Sequence, residues 1–236
     1  MNNPRPLQYL FWDFDGTLYN SYPQMRQAML RTLSAFHVSA DPAEVDRLLK
    51  TSVYQACRHY ALLHEIALDA FLACFHHHHE QETNFPPYAG LGDCLRRLHE
   101  AGFHHYLYTH RGPQALVQLE QDGLICYFSD AVTRADHFPD KPAPDALLAL
   151  MSRNGLTPDA CAMIGDRDID VLSGKNAGMR GILFDPDHFF PNLQADLRAS
   201  SMEELCTLLL RSPLPTSNSQ CQNDVYRLKC KTNVQR

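Results

Sequence analysis

Leu7-Gln8-Tyr9-Leu10-Phe11-Trp12-Asp13-Phe14-Asp15-Gly16-Thr17 is the stretch on which the reading of this chain turns. Its first six residues form a mostly apolar, aromatic run that reads as a buried strand. Asp13 and Asp15 then stand two positions apart where that strand ends and a turn begins. Gly16 permits the turn, because it tolerates backbone angles that other residues avoid. In open sheets of alternating strands and helices, ligands bind at the carboxyl ends of the strands. A carboxylate pair placed there has a chemical use: one group attacks or holds a cation while the other moves a proton. An isolated Asp-x-Asp-Gly is also an ordinary polar turn, so the rest of the chain decides between the two.

The rest of the chain supplies the sheet. After about Tyr22 the apolar residues recur at helical spacing, as in Leu30, Leu33 and Phe36 and then Val45, Leu48 and Leu49. Asp41-Pro42 marks a helix start. Ala61 to His79 reads as one further helix, and Pro86-Pro87 closes the segment. Strands and helices then alternate. Strands are expected at residues 105–108, 127–132, 161–164 and 181–184, and helices at 91–101, 114–121, 144–153, 169–177 and 202–210. This order predicts an α/β fold with a Rossmann-like, doubly wound parallel sheet and an inserted all-helical cap. The expected division is a core of residues 1–18 and 86–211, a cap of 19–85, and a polar, Pro-rich flexible tail of 212–236.

Bulk properties exclude several classes. The chain has 236 residues, 44% of them hydrophobic, and a net charge of −6 without a basic run. That argues against nucleic acid as a partner. No apolar stretch approaches the roughly 20 residues that span a bilayer, and Met1 to Pro6 lacks the layout of a signal peptide. A cytoplasmic protein, a monomer or weak homodimer, is the expectation. The eight cysteines form no Cys-x-x-Cys pair, so a zinc site or disulfide framework is not expected. His76 to His79 are four neighbours pointing in different directions on a helix, and they read as a solvated helix end.

Four polar clusters follow apolar runs in chain order: Asp13/Asp15 with Thr17, then Thr109, then Lys141, then Gly165-Asp166 with Asp168 and Asp170. Strand ends of a parallel sheet converge on one crevice. Carboxylates of the first and last clusters would meet there, beside a hydroxyl and an ammonium. The set suits phosphoryl transfer. Clustered carboxylates hold Mg²⁺. Lys141 neutralises phosphate oxygens, Thr109 donates to one of them, and Asp13 is placed to become an aspartyl-phosphate.

These residues resemble the haloacid dehalogenase superfamily of phosphohydrolases. Asp13 to Thr17 match its first motif, Asp-x-Asp-Gly-Thr. Thr109 matches the second, Lys141 the third, and Gly165, Asp166 and Asp170 the fourth. Lys141-Pro142-Ala143-Pro144 and Pro87-Tyr88-Ala89-Gly90 are similar to the phosphoglycolate-phosphatase-like branch. The resemblance covers about residues 7–210 and implies a helical cap inserted after the first motif. It implies Asp13 as nucleophile and Mg²⁺ ligand, and Asp15 as general acid/base that lends its carbonyl to Mg²⁺. Asp166 becomes a Mg²⁺ ligand, Thr109 and Lys141 phosphate-binding groups, and Thr17, His110 and Asp170 supporting residues. The implied substrate is a small phosphorylated metabolite. A phosphomutase of the beta-phosphoglucomutase type uses the same core residues and is the alternative; a non-catalytic phospho-ligand binding protein is a further one. The second motif continues as His110-Arg111, where many relatives have Asn or Ser, and Arg167 stands where Ser is frequent. In the cap, Lys50, Ser52, Tyr54 and Arg58 are the polar candidates for substrate contact.

Overall fold

The computed structural model describes residues 6–81 and 85–211. The expected tail, 212–236, lies outside the described residues. Six strands form one parallel sheet: β1 (Tyr9–Trp12), β2 (His104–Tyr108), β3 (Phe128–Val132), β4 (Cys161–Gly165), β5 (Arg180–Phe184) and β6 (Leu197–Ala199). Their order across the sheet is β3-β2-β1-β4-β5-β6. The chain therefore builds outward from β1 through β2 to β3, then returns to add β4 on the other side of β1. That reversal is the point where a doubly wound sheet opens a crevice at its carboxyl edge.

The register fixes what meets at that edge. Trp12 lies opposite Leu107 of β2 and Ile164 of β4. Asp13, one residue further, donates its backbone N–H to the Ile164 carbonyl at 2.9 Å. Thr109 likewise donates to the Val132 carbonyl at 3.1 Å. β3 and β4 are buried along their whole length, as strands covered on both faces must be. That is why β4 reads as an apolar run rather than an alternation, whereas β3 buries Ser129 and Asp130 as well.

The chain divides into two compact units. The sheet unit, described over residues 6–18 and 88–211, contains α5 (Leu91–Glu100), α6 (Gln114–Gln121), α7 (Asp145–Asn154), α8 (Asp168–Asn176) and α9 (Met202–Arg211). α7 covers one face, where Leu147, Leu150 and Met151 pack with Phe11, Tyr106 and Met163. The second unit, Tyr19–Pro87, contains α1 (Tyr22–Ala35), α2 (Pro42–Thr51), α3 (Val53–Leu63) and α4 (Leu68–Gln81) around a core that includes Met29, Leu33, Val45, Tyr60 and Phe71. Its ends meet where the Asn20 N–H donates to the Pro86 carbonyl at 3.0 Å. α2 starts as its sequence requires, with the Asp41 side chain accepting from the Ala43 N–H and Pro42 in the first turn.

Two elements differ from expectation. Residues 61–79 are not one helix. α3 ends at Leu63, the Ile66 N–H closes back onto the Ala61 carbonyl at 2.8 Å, and Glu65 takes a left-handed φ of 54°. This is the usual way a helix is capped at its C-terminus, but glycine normally marks it. β6 is three residues long, half-buried and polar at Arg198. Periodicity could not have revealed it.

Under the sheet edge, Trp12 donates its indole N–H to His105 Nδ1 at 3.0 Å, with both side chains buried. Burial, reinforced by the neighbouring His99 and His104, presses the His105 pKa down to about 3. The folded protein therefore favours neutral imidazole. This contribution is intact above the ordinary histidine pKa of about 6.5 and is lost as pH falls from there towards 3. Between pH 6.5 and 5 the native protein should lose about 2 kcal/mol more stability than His105→Gln does. Urea unfolding at the two pH values measures the difference, and equal losses would refute it.

Candidate active site

Each polar cluster is delivered by a strand end. β1 delivers Asp13, and the turn after it is closed by Leu18 N–H donating to the Phe14 carbonyl at 3.0 Å, with Gly16 at φ 76°. β2 delivers Thr109, and the connection from β3 to α7 delivers Lys141. β4 delivers Asp166, and α8 begins immediately after it. In α8 the Asp170 carboxylate turns back to accept the Arg167 N–H at 3.1 Å, boxing the helix start. Gly165 makes this possible. A Cβ at that position would stand 2.2 Å from Asp170 Cβ, a distance that no side chain tolerates. Gly165→Ala should therefore push Asp170 out of the site and destabilise the protein by about 2 kcal/mol or more. A thermal-melting decrease of a few degrees checks this; an unchanged midpoint counts against it.

Lys141 is the hub. Its ammonium lies 2.6 Å from Asp13 Oδ1 and 2.8 Å from Asp170 Oδ1, and it donates to the Tyr108 carbonyl at 3.1 Å. Asp13 and the Tyr108 carbonyl accept hydrogen bonds from it, while the Asp170 contact is an ion pair. The Tyr108 ring sits 4.4 Å from the same nitrogen, close enough for a cation–π contact. Asp13, Asp166 and Asp170 are all buried, and each offers a carboxylate oxygen within 4.8 Å of the others. Two of these carboxylates, Asp13 and Asp170, thus share one lysine. Burial is the largest influence on Asp13 and raises its pKa to about 7, with Lys141 opposing and Asp170 and Asp166 adding to the rise. Burial also raises Asp170, but Lys141 and Arg167 outweigh it and hold the carboxyl below its ordinary value. Burial works against the Lys141 ammonium too, yet Asp13 and Asp170 hold its pKa well above normal. Asp13 Oδ2 is buried and has no hydrogen-bond partner among the described residues. Such an atom costs stability unless something binds it.

Asp15 lies at the rim. Arg111 grips its carboxylate in a bidentate pair, with Nη2 at 2.6 Å from Oδ1 and Nε at 3.1 Å from Oδ2. The guanidinium also stands 5.5 Å over the Phe14 ring. Arg111 is the site residue that sequence reasoning left without a role. Its signal was its position two residues after Thr109. The Thr109 hydroxyl accepts the Arg111 backbone N–H at 3.0 Å, which leaves its own proton for another acceptor. Thr17 is fully buried beside the turn. His110 is half-buried and accepts the Lys141 backbone N–H. A cavity of about 370 Å³ opens beside Thr109 and His110, bounded also by Thr133, Arg134 and Asp140. The structure thus brings together Asp13, Asp166, Asp170 and Lys141, and sets Asp15, Thr109 and His110 on the same strand ends.

The polar candidates in the helical unit divide differently. Ser52 caps α3 by accepting the Gln55 N–H, Tyr54 and Arg58 are exposed, and Lys50 is buried with its ammonium 4.5 Å from the Tyr22 ring. Of the four histidines on α4, His76 and His77 are exposed and His79 stacks on Phe75. No described helix is long and apolar enough to cross a membrane.

Comparison with known proteins adds an independent line. Residues 10–184 match the family model described as haloacid dehalogenase-like hydrolase. A phosphoglycolate phosphatase of Vibrio vulnificus is 36% identical over 132 residues, which span 53% of this chain and 57% of that protein. One from Vibrio parahaemolyticus is 29% identical over 216 residues, spanning 84% of this chain and 94% of the relative. Among solved structures, a haloacid dehalogenase family hydrolase from Deinococcus radiodurans, with bound phosphate and sodium, superposes with a TM-score of 0.69 at 21% identity over 85% of this chain and 93% of its own. That likeness shows the fold.

Proposed function

The chain belongs to the haloacid dehalogenase-like hydrolase family, and we propose that within it the protein is a Mg²⁺-dependent phosphatase that hydrolyses a small phosphorylated metabolite through an aspartyl-phosphate on Asp13. The observation that carries this reading is the state of Asp13. It is buried at the reversal point of the sheet, with Oδ1 on Lys141 and Oδ2 unbonded among the described residues. The donor set fits a divalent cation: three buried carboxylates against one ammonium, all hard oxygen donors. Asp13, Asp166 and the Asp15 carbonyl would hold Mg²⁺, because Asp170 is already committed to Lys141 and the Arg167 N–H. When bound, Mg²⁺ supplies positive charge to the phosphoryl oxygens and keeps Asp13 ionised.

The chain's own residues perform the rest. An Asp13 carboxylate oxygen attacks phosphorus, and the bond from phosphorus to the ester oxygen breaks. Asp15, parted from Arg111 and protonated before the ester is cleaved, gives that leaving oxygen a proton. Lys141 and the Thr109 hydroxyl hold the phosphoryl oxygens as charge spreads over them. Asp15, now a carboxylate, takes a proton from water. The water oxygen attacks phosphorus, releases phosphate and regenerates Asp13. Phosphoglycolate is the first substrate to try, because relatives at 36% and 29% identity carry the name phosphoglycolate phosphatase.

The test is Mg²⁺-dependent phosphate release across a panel of small phosphate esters, with products checked for isomerised sugar phosphates. Release that survives chelation of divalent cations would refute the proposal, and isomerised product would mark a phosphomutase instead. Binding has a separate readout. At Mg²⁺ a hundredfold above its dissociation constant the protein should gain about 2.7 kcal/mol. Thermal melting should show a rise of several degrees that Asp166→Asn lacks. An equal rise in both proteins would place the ion elsewhere.

A further inference from the structure

Lys141 is held from two sides by the residues that flank Thr109. Tyr108 takes its ammonium, by carbonyl and by ring. His110 takes its backbone, accepting the Lys141 N–H on Nε2 at 3.1 Å. A backbone N–H only donates, so Nε2 carries no proton and the other ring nitrogen does. The surroundings agree with that state. Burial first, and then the neighbouring Lys141 charge, lower the His110 pKa to about 4. The ring is packed edge-on against Tyr108 with centroids 6.1 Å apart. Lys141 lies in an irregular connection between β3 and α7, with no strand ladder to fix its backbone. The side chain of His110 supplies the acceptor that a neighbouring strand would otherwise provide.

We propose that His110 is the positioning residue for Lys141, fixing the backbone from which the ammonium reaches Asp13 and the phosphoryl group. This rests on the phosphatase reading for its catalytic consequence, but not for the hydrogen bond itself. One turn of chain, Tyr108-Thr109-His110, then sets both phosphate-binding groups at once: Thr109 directly and Lys141 through its two neighbours. A residue whose side chain cannot accept a hydrogen bond would leave the Lys141 N–H to water and let the loop shift. Small misplacements of a positioned charge cost rate, because its value depends on preorganisation.

The experiment compares His110→Phe, which keeps a ring against Tyr108 but offers no acceptor, with His110→Gln, which restores one at similar reach. Two quantities are read in the full-length protein: hydrogen exchange of the Lys141 amide by NMR, and kcat and KM for the best ester of the panel. Loss of one hydrogen bond should speed exchange of that amide about tenfold in His110→Phe and lower kcat/KM about tenfold. His110→Gln should stay within about threefold of the native protein in both. Unchanged exchange in His110→Phe would overturn the proposal. So would faster exchange with native kinetics, since Lys141 would then need no such hold. A native protein that releases phosphate from no ester refutes the phosphatase reading instead, and the exchange comparison then decides the positioning alone.

Discussion

Asp13→Asn should abolish phosphate release, by at least about a thousandfold, and should make the metal-free protein more stable. The two effects have one cause. The Asp13 carboxylate is buried with Asp166 and Asp170 against a single Lys141, an arrangement that favours chemistry over stability. Asparagine keeps the shape, removes one negative charge from a cluster in which carboxylates outnumber Lys141, and leaves Lys141 paired with Asp170. The sign follows from linkage. The Asp13 pKa stands at about 7 in the folded protein, above the ordinary 3.8. Its ionisation therefore opposes folding from about pH 4 upward, fully above pH 7. The gain of Asp13→Asn should be largest at pH 7 to 8 and vanish near pH 4. A gain of 1 kcal/mol would appear as a rise of about 2–4 °C in melting temperature. Adding Mg²⁺ should narrow or reverse the gap, because the native site gains more from the ion. A metal-free variant that melts at or below the native temperature at pH 8 would show that the carboxylates do not oppose folding.

The same residues show how far the chain could be read before its coordinates. Asp13, Asp15, Thr109 and Asp166 were legible because they follow apolar runs and a parallel sheet collects strand ends on one edge, whereas Lys141, in the connection between β3 and α7, was legible through its Lys-Pro-Ala-Pro setting. The register that sets Trp12 opposite both Leu107 and Ile164 was not legible, since these strands are apolar on both faces and have no alternation to align. The Arg111 pair with Asp15 bridges residues 96 apart, beyond any local pattern. Asp170 was expected to support the loop after β4. The structure adds a second role, as counter-charge for Lys141. The break between α3 and α4 escaped notice because Glu65, rather than a glycine, takes the left-handed angle.

Lys141→Met should be the most destabilising substitution in the site. Methionine fills a similar volume, but it removes the cation that lies 2.6 Å from Asp13 and 2.8 Å from Asp170 and leaves them the smaller influence of Arg167. The Lys141 side chain is 0% exposed, and the two carboxylates are 4% and 0% exposed, so water cannot take its place. Breaking a buried pair by removing one partner costs about 3–5 kcal/mol, which at this chain length is roughly 6–20 °C of melting temperature. Activity should fall about a hundredfold or more as well, through lost charge on the phosphoryl oxygens. The two losses should separate on rescue. Mg²⁺ should return part of the stability, because it offers the carboxylates a cation, but little of the activity, because the phosphoryl group still lacks its ammonium. Adding Asp170→Asn to Lys141→Met should likewise recover stability beyond additivity, since it removes the charge that lysine no longer meets. A double variant no more stable than the single one would mean that Asp170 finds compensation elsewhere, and that Lys141 is held for Asp13 alone. A Lys141→Met protein melting within 2 °C of native would refute the hub itself.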